Sequence, residues 1–243
     1  MERGVRMTDG LHLETVDAAL TATIRSGEGN LFTAAMMDDL VDAVTQAGAD
    51  EAVRFVRIRA EGDTFCIGRQ KAGTSADELR AMAARIPRVN ETLRTSPLTI
   101  LAEVNGPAAG FGVGLAAASD IVVVSERATF AFPEILAGFA PAVVLSWARF
   151  VVPARLLYDM VSTGQVIDAR RAVEAGIATE VVAHQDLQAR VDERIARLAS
   201  VDGFALREMK RFLVTTRTMD PAQAAAVSVD HLAFSAMRVV GNF

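Results

Sequence analysis

The spacing of apolar positions changes several times along this 243-residue chain. Residues 11–25 (LHLETVDAALTATIR) contain two short alternating stretches, which predicts a β-hairpin. The run Ser26-Gly27-Glu28-Gly29-Asn30 is rich in turn-forming residues and predicts a loop. Met36, Leu40 and Val44 then recur at helical spacing behind Thr33, an N-cap residue type, so 33–48 is expected to be an amphipathic helix. Residues 53–60 (VRFVRIRA) alternate in the manner of a half-buried strand and end in a Gly62-Asp63 turn. A second helix is expected at 76–95 and an apolar strand at 98–104. Asn105-Gly106 then turns into a small-residue helix at about 109–118. Ile121–Val124 is a continuous β-branched run, as in a strand buried on both faces. Past Pro133 the pattern is helical over 141–150, 153–163, 168–175, 186–200, 204–217 and 221–238, with one more strand at 177–182. Residues 1–6 show no pattern and are expected to lack structure, which makes Met7 an alternative start.

Strands interleaved with helices and followed by helices alone argue for an α/β core with a helical appendage. The length suits one well-buried domain, and 51% hydrophobic with 23% charged residues is a globular composition. A net charge of −5, without a Lys/Arg block, gives no reason to expect nucleic acid as a partner. The single cysteine, Cys66, excludes an internal disulfide. With the scattered His12, His184 and His231 it gives no metal-ligand spacing, so no metal is expected. No apolar signal core or membrane-length apolar run is present, so a soluble cytoplasmic protein without a membrane partner is expected.

The most informative segment is 101–115 (LAEVNGPAAGFGVGL), a strand running into a glycine-rich turn and a helix. Such a turn presents backbone N–H groups at a helix N-terminus, where negative charge is favoured. That charge can be a phosphate or an oxyanion. Gly106, Gly110 and Gly112 have the G-x-x-x-G-x-G spacing of short-chain dehydrogenases, and Glu126 stands where an NAD(P) site wants a ribose-binding acid. Against that remote alternative, those enzymes need a Tyr with a Lys four residues on. Here the only tyrosine is Tyr158, and position 162 is Ser.

The oxyanion reading absorbs more residues. Asn105-Gly106-Pro107-Ala108 leads into Gly110-Phe111-Gly112, then Ser119-Asp120-Ile121, then Phe130-Ala131-Phe132-Pro133-Glu134-Ile135. Upstream lies Thr64-Phe65-Cys66-Ile67-Gly68-Arg69. Downstream lie Thr163-Gly164, Asp168-Ala169 and Ala175-Gly176-Ile177-Ala178. In this order, over about residues 28–200, the set resembles the crotonase superfamily, the enoyl-CoA hydratase/isomerase family.

The resemblance implies a crotonase (ClpP-like) fold: a spiral of β-β-α units over 1–183 and a helical C-terminal trimerisation region over 184–243. It implies a homotrimer or a dimer of trimers. It also implies an acyl-CoA substrate, with coenzyme A arriving as the thioester and no separate cofactor. A thioester enolate would be stabilised by the backbone N–H groups of Arg69 and Phe111. Cys66, Gly68, Gly110 and Pro133 would line the substrate site, and Glu134 would be the catalytic carboxylate. Phe111 is larger than the family's usual residue; it either lines the pocket or packs at the helix start. Arg69 offers its side chain either to a CoA phosphate or to solvent. Cys66 reads as a small buried hydrophobe, and Trp147, Phe139 and Phe150 as core or interface.

Hydratases of this family carry a second carboxylate at the position of Gly114. No Asp or Glu lies between Glu134 and Asp159 to replace it, and Ser146 offers only a hydroxyl. A lone Glu134 suits double-bond isomerisation by proton shuttling. The alternatives are a hydratase (a lyase) with a non-standard second acid/base and a catalytically weak acyl-CoA-binding relative.

Overall fold

The computed structural model describes residues 2–71 and 73–241. Along the chain its strands and α-helices are β1 (Glu2–Thr8), β2 (Leu11–Val16), β3 (Ala19–Ile24), α1 (Ala34–Ala49), β4 (Phe55–Ala60), α2 (Ala76–Thr95), β5 (Thr99–Val104), β6 (Ala108–Ala109), α3 (Phe111–Ala117), β7 (Ile121–Ser125), β8 (Thr129–Ala131), α4 (Ala142–Ala148), α5 (Ala154–Thr163), β9 (Ile167–Asp168), α6 (Ala169–Glu174), β10 (Glu180–Val182), α7 (Leu187–Ala199), α8 (Gly203–Thr216) and α9 (Pro221–Val239).

The main sheet has the order β1-β2-β3-β4-β5-β7-β10. Its first three strands form an antiparallel meander, and from β3 onward the pairings are parallel. Parallel neighbours need crossovers; α1, α2 and α3 supply the first three, and α4 to α6 lie between β7 and β10. Period-two alternation sorts the side chains between the two faces. Val56, Ile58, Ile100, Ala102, Val122 and Val124 join the larger core, with Met36, Leu40 and Val44 of α1. Phe55, Leu101 and Val123 face the other way, onto Leu187 and Val191 of α7. The β-branched run of β7 is thus covered on both faces, as its composition predicts.

A second, three-stranded sheet, β6-β8-β9, carries the segment toward Glu134. The apolar, strand-like stretch before Pro133 forms β8, whereas β9 was not expected from the sequence, because a piece of two residues shows no period. Three other expectations are corrected. Residues 2–8 are a strand, paired antiparallel with β2, so only Met1 of the segment expected to lack structure lies outside the described residues. The glycine-rich helix starts at Phe111 rather than 109, because Ala108 and Ala109 pair with β8. The strand expected at 177–182 is confined to Glu180–Val182, because Ile177 and Ala178 donate to the Ala172 carbonyl of α6.

Thr33 caps α1 as predicted, its hydroxyl accepting from the Met36 N–H at 3.0 Å. At the other end of the chain, α9 buries none of its residues, and Leu232 and Val239 are 71% and 88% exposed. No helix among the described residues is long and apolar enough to cross a membrane.

Candidate active site

Two backbone segments meet at the site. The first runs through Gly68 and Arg69. The Phe32 N–H donates to the Gly68 carbonyl at 3.1 Å, and the Gln70 N–H donates to the Phe32 carbonyl at 2.8 Å. This bridge uses the residues on either side of Arg69, so the Arg69 N–H is directed away from Phe32. Asn30, buried and with φ +49°, braces the segment from below. Its amide nitrogen donates to the carbonyls of Glu61 and Thr64, at 3.0 and 2.7 Å.

The second segment is the start of α3. Phe111 is its first helical residue, a position whose N–H has no intrahelical acceptor. The two segments are tied together. Ala109 donates to the Cys66 carbonyl at 2.9 Å. Gly112 lies so close to that carbonyl that a β-carbon there would overlap it. The Phe111 ring, 3% exposed, packs on Phe32 with ring centroids 5.0 Å apart. The ring thus packs at the start of the helix.

Glu134 enters from a 3-10 turn, Pro133–Ala137, that follows β8. Buried Phe132 anchors the turn, Pro133 starts it from the surface, and Phe139 N–H donates to the Glu134 carbonyl at 2.9 Å. One carboxylate oxygen, Oε1, stands where a side chain at 110 would be. Gly110 also has φ +50° and ψ −109°, so glycine is required there for conformation and for space. The other oxygen, Oε2, is buried and has no hydrogen-bond partner among the described residues. Burial therefore pushes the Glu134 pKa up, against weaker opposing pulls from its own backbone N–H and from the Arg69 guanidinium. Glu134 thus neighbours both backbone segments. The influence of the Arg69 side chain on it was not foreseen, because residues so far apart in sequence leave no local pattern.

Gly114 lies one turn further along α3. A β-carbon there would sit 3.4 Å from Trp147 Cζ2 and 3.9 Å from Asn90 Oδ1. The neighbours of the Gly114 position, where the resemblance implies a second carboxylate in hydratases, are therefore an indole and an amide. Trp147 belongs to the core, whereas Phe139 and Phe150 are 68% and 44% exposed. Asn90 was overlooked. The signal was present, since it falls on the stripe of α2 that buries Met82, Ile86, Val89 and Leu93.

The remaining candidates are placed as follows. Cys66 is fully buried, its thiol bonded to the Gly68 carbonyl at 3.2 Å, and burial pushes its pKa up to about 12. It can therefore offer only backbone to a ligand. Gly68 has φ +137° and turns the chain into Arg69. The Ser146 hydroxyl is bonded to the Val143 carbonyl of its own helix at 2.7 Å. Glu126 is exposed just beyond β7. The Glu134 carboxylate against Gly110 places like charge where a dinucleotide pyrophosphate would approach. Among the described residues, no three His, Cys, Asp or Glu side chains are grouped in a way that could hold a metal ion.

Comparison with known proteins bears on the fold and the family. Among curated proteins, the chain is 35% identical over 187 residues to the (7aS)-7a-methyl-1,5-dioxo-2,3,5,6,7,7a-hexahydro-1H-indene-carboxyl-CoA hydrolase of Mycobacterium tuberculosis, covering 72% of each chain. It is 31% identical over 180 residues to the mouse mitochondrial enoyl-CoA hydratase domain-containing protein 3, covering 70% of this chain and 59% of that protein. Among solved structures, an enoyl-CoA hydratase of Mycobacterium smegmatis superposes with a TM-score of 0.88 at 25% identity, covering 94% of this chain and 91% of that one. A Thermobifida fusca protein assigned to the enoyl-CoA hydratases, solved in complex with CoA, gives a TM-score of 0.85 at 27% identity, covering 96% and 95%. These superpositions carry the crotonase fold. A family model described as enoyl-CoA hydratase/isomerase matches residues 19–238. With nearly the whole chain matched, this protein belongs to the enoyl-CoA hydratase/isomerase family.

Proposed function

We propose that the protein acts on an acyl-CoA thioester and moves its double bond by proton shuttling through Glu134. The Arg69 and Phe111 N–H groups donate to the thioester oxygen as negative charge develops on it. Such a donor is typically worth about 2.7–4 kcal/mol in the transition state. Glu134 removes a proton from C2 of a 3-enoyl thioester, the double bond shifts into conjugation with the carbonyl, and the same carboxyl returns the proton at C4. No atom is gained or lost. Cys66, Gly68, Gly110 and Pro133 form the backbone walls that set these groups against the substrate.

The observation that carries this reading is the Glu134 carboxylate beside Gly110, half-buried and with raised proton affinity, with no carboxylate facing it from Gly114. A carboxyl of raised pKa suits a group that must both take and return a proton. The names of several relatives favour a second reading, hydration of a 2-enoyl thioester. That chemistry requires an acid/base beside Gly114 other than a carboxylate.

Purified protein given 3-hexenoyl-CoA is expected to form the conjugated isomer, followed by its ultraviolet absorbance, and Glu134→Ala to abolish this. Equal turnover by the variant sinks the shuttle. Hydration of crotonyl-CoA at an ordinary rate sinks the assignment of Gly114. No binding of any acyl-CoA favours a non-catalytic relative.

The assembly proposed is a homotrimer or a dimer of trimers, with residues 184–243 contributing to the contacts between protomers. The exposed apolar side chains of Leu213, Leu232 and Val239 support this. Light scattering coupled to size exclusion measures the mass, and a monomer overturns the assembly.

A further inference from the structure

Beside the carboxylate lies a second polar feature. Asn90 is 2% exposed and Trp147 is 4% exposed. Neither polar atom of the Asn90 amide, nor Trp147 Nε1, has a hydrogen-bond partner among the described residues. Buried polar groups are nearly always paired, because leaving them unpaired is costly. All three atoms belong to side chains that crowd one spot, the Gly114 face of α3.

The position of that spot relative to Glu134 follows from helix geometry. The Gly114 N–H donates to the Gly110 carbonyl at 3.1 Å, so the two residues are one helical turn apart along the start of α3. Glu134 stands over the first, and Trp147 and Asn90 over the second. The separation along the axis is about 6 Å, at 1.5 Å per residue. An acyl chain with carbon–carbon bonds near 1.5 Å covers that in about four to five bonds.

The chemistry of the cluster limits what it can hold. An indole N–H only donates, whereas an amide both donates and accepts. Two donors and one acceptor fit a ketone or hydroxyl oxygen. An anionic group is disfavoured, because the charged group one turn away is the Glu134 carboxylate. We propose that Asn90 and Trp147 form a subsite for a neutral oxygen function, a ketone or a hydroxyl, carried by the acyl chain about one helical turn from the thioester. This rests on the acyl-CoA reading above and specifies the substrate class within it.

The test compares hexanoyl-CoA with 5-oxohexanoyl-CoA by titration calorimetry. Neither has a double bond to move, so binding is measured apart from turnover. Wild-type protein is expected to bind the oxo compound at least about tenfold more tightly, as a site built to pair with a polar group does. In Asn90→Leu and in Trp147→Phe that ratio is expected to collapse toward one. Should either variant not fold, the other still measures the ratio, and the wild-type comparison needs no variant. Equal affinity for the two compounds in wild type overturns the subsite, as does a preference that survives in the folded variants. If neither compound binds, the acyl-CoA reading itself fails, and the subsite fails with it.

Discussion

Two clusters of buried polar groups in this molecule are treated in opposite ways. On the α7 face of the main sheet, Arg57 of β4 lies over Glu103 of β5, both less than one tenth exposed. Every nitrogen of its guanidinium is used: Nε and Nη2 donate to Glu103, and Nη1 donates to Asp192 of α7 at 2.7 Å. Beside α3, Glu134 Oε2, both Asn90 amide atoms and Trp147 Nε1 have no such partners among the described residues. The first cluster fastens α7 to the sheet. The second has hydrogen-bonding capacity left over, at the place proposed above for the chemistry. Three side chains with unpaired buried atoms around one short helix mark a place that hydrogen bonding within the fold does not account for.

The comparison can be broken at either end. Glu134→Gln is expected to have the largest effect, a loss of about 10²–10⁴ in turnover of the 3-enoyl thioester. Its stability is expected to change the other way. The folded-state pKa of Glu134 is raised, so between its ordinary value of 4.5 and the raised value the folded protein holds the extra proton. Stability therefore falls as pH rises through that window. The glutamine variant loses this dependence and at neutral pH is at least as stable as wild type in urea unfolding.

Arg57→Met reverses the pattern. It leaves Glu103 buried without its main partner, at an expected cost of about 3–5 kcal/mol in urea unfolding. Turnover per folded molecule is expected to hold. A variant that stays stable but loses activity would erase the distinction between the two clusters.

A smaller effect sharpens the site itself. Arg69→Met removes the cation that opposes the raised Glu134 pKa while leaving the residue's N–H in place. The acidic limb of kcat/KM against pH is expected to move to higher pH. A limb that stays fixed means the guanidinium does not act on this carboxylate. The smallest effect is at Gly114. A methyl group there meets Trp147 at 3.4 Å, an ordinary contact, so Gly114→Ala is expected to stabilise the helix by about 0.5–1 kcal/mol. A loss of stability would show that α3 and Trp147 are pressed more closely than this geometry allows.

What the sequence could show depended on how local each signal is. The cap at Thr33, the stripe of α1 and the extent of α2 involve residues within a few positions, and they were legible. The resemblance to the family's core pattern suggested that Gly110 and Glu134 share one site, and the two meet in the structure. The pairing of β8 with β6 and β9 was hidden, since two or three residues carry no period and the partners are remote in sequence. Asn90 was hidden differently. One amide among apolar neighbours on a helix looks like an ordinary surface residue until the buried stripe is drawn through it. The strand at Glu2–Thr8 was missed because its partner, β2, already seemed complete as half of a hairpin.

The contact between Gly112 and the Cys66 carbonyl has a consequence in time as well as in space. With the Ala109 N–H bonded to that same carbonyl and Phe111 seated on Phe32, the segment holding Arg69 and the start of α3 have no room to separate independently. Their amides belong to one opening unit. In native-state hydrogen exchange, Gln70, Ala109 and Gly114 are accordingly expected to share one opening free energy, lost together or kept together.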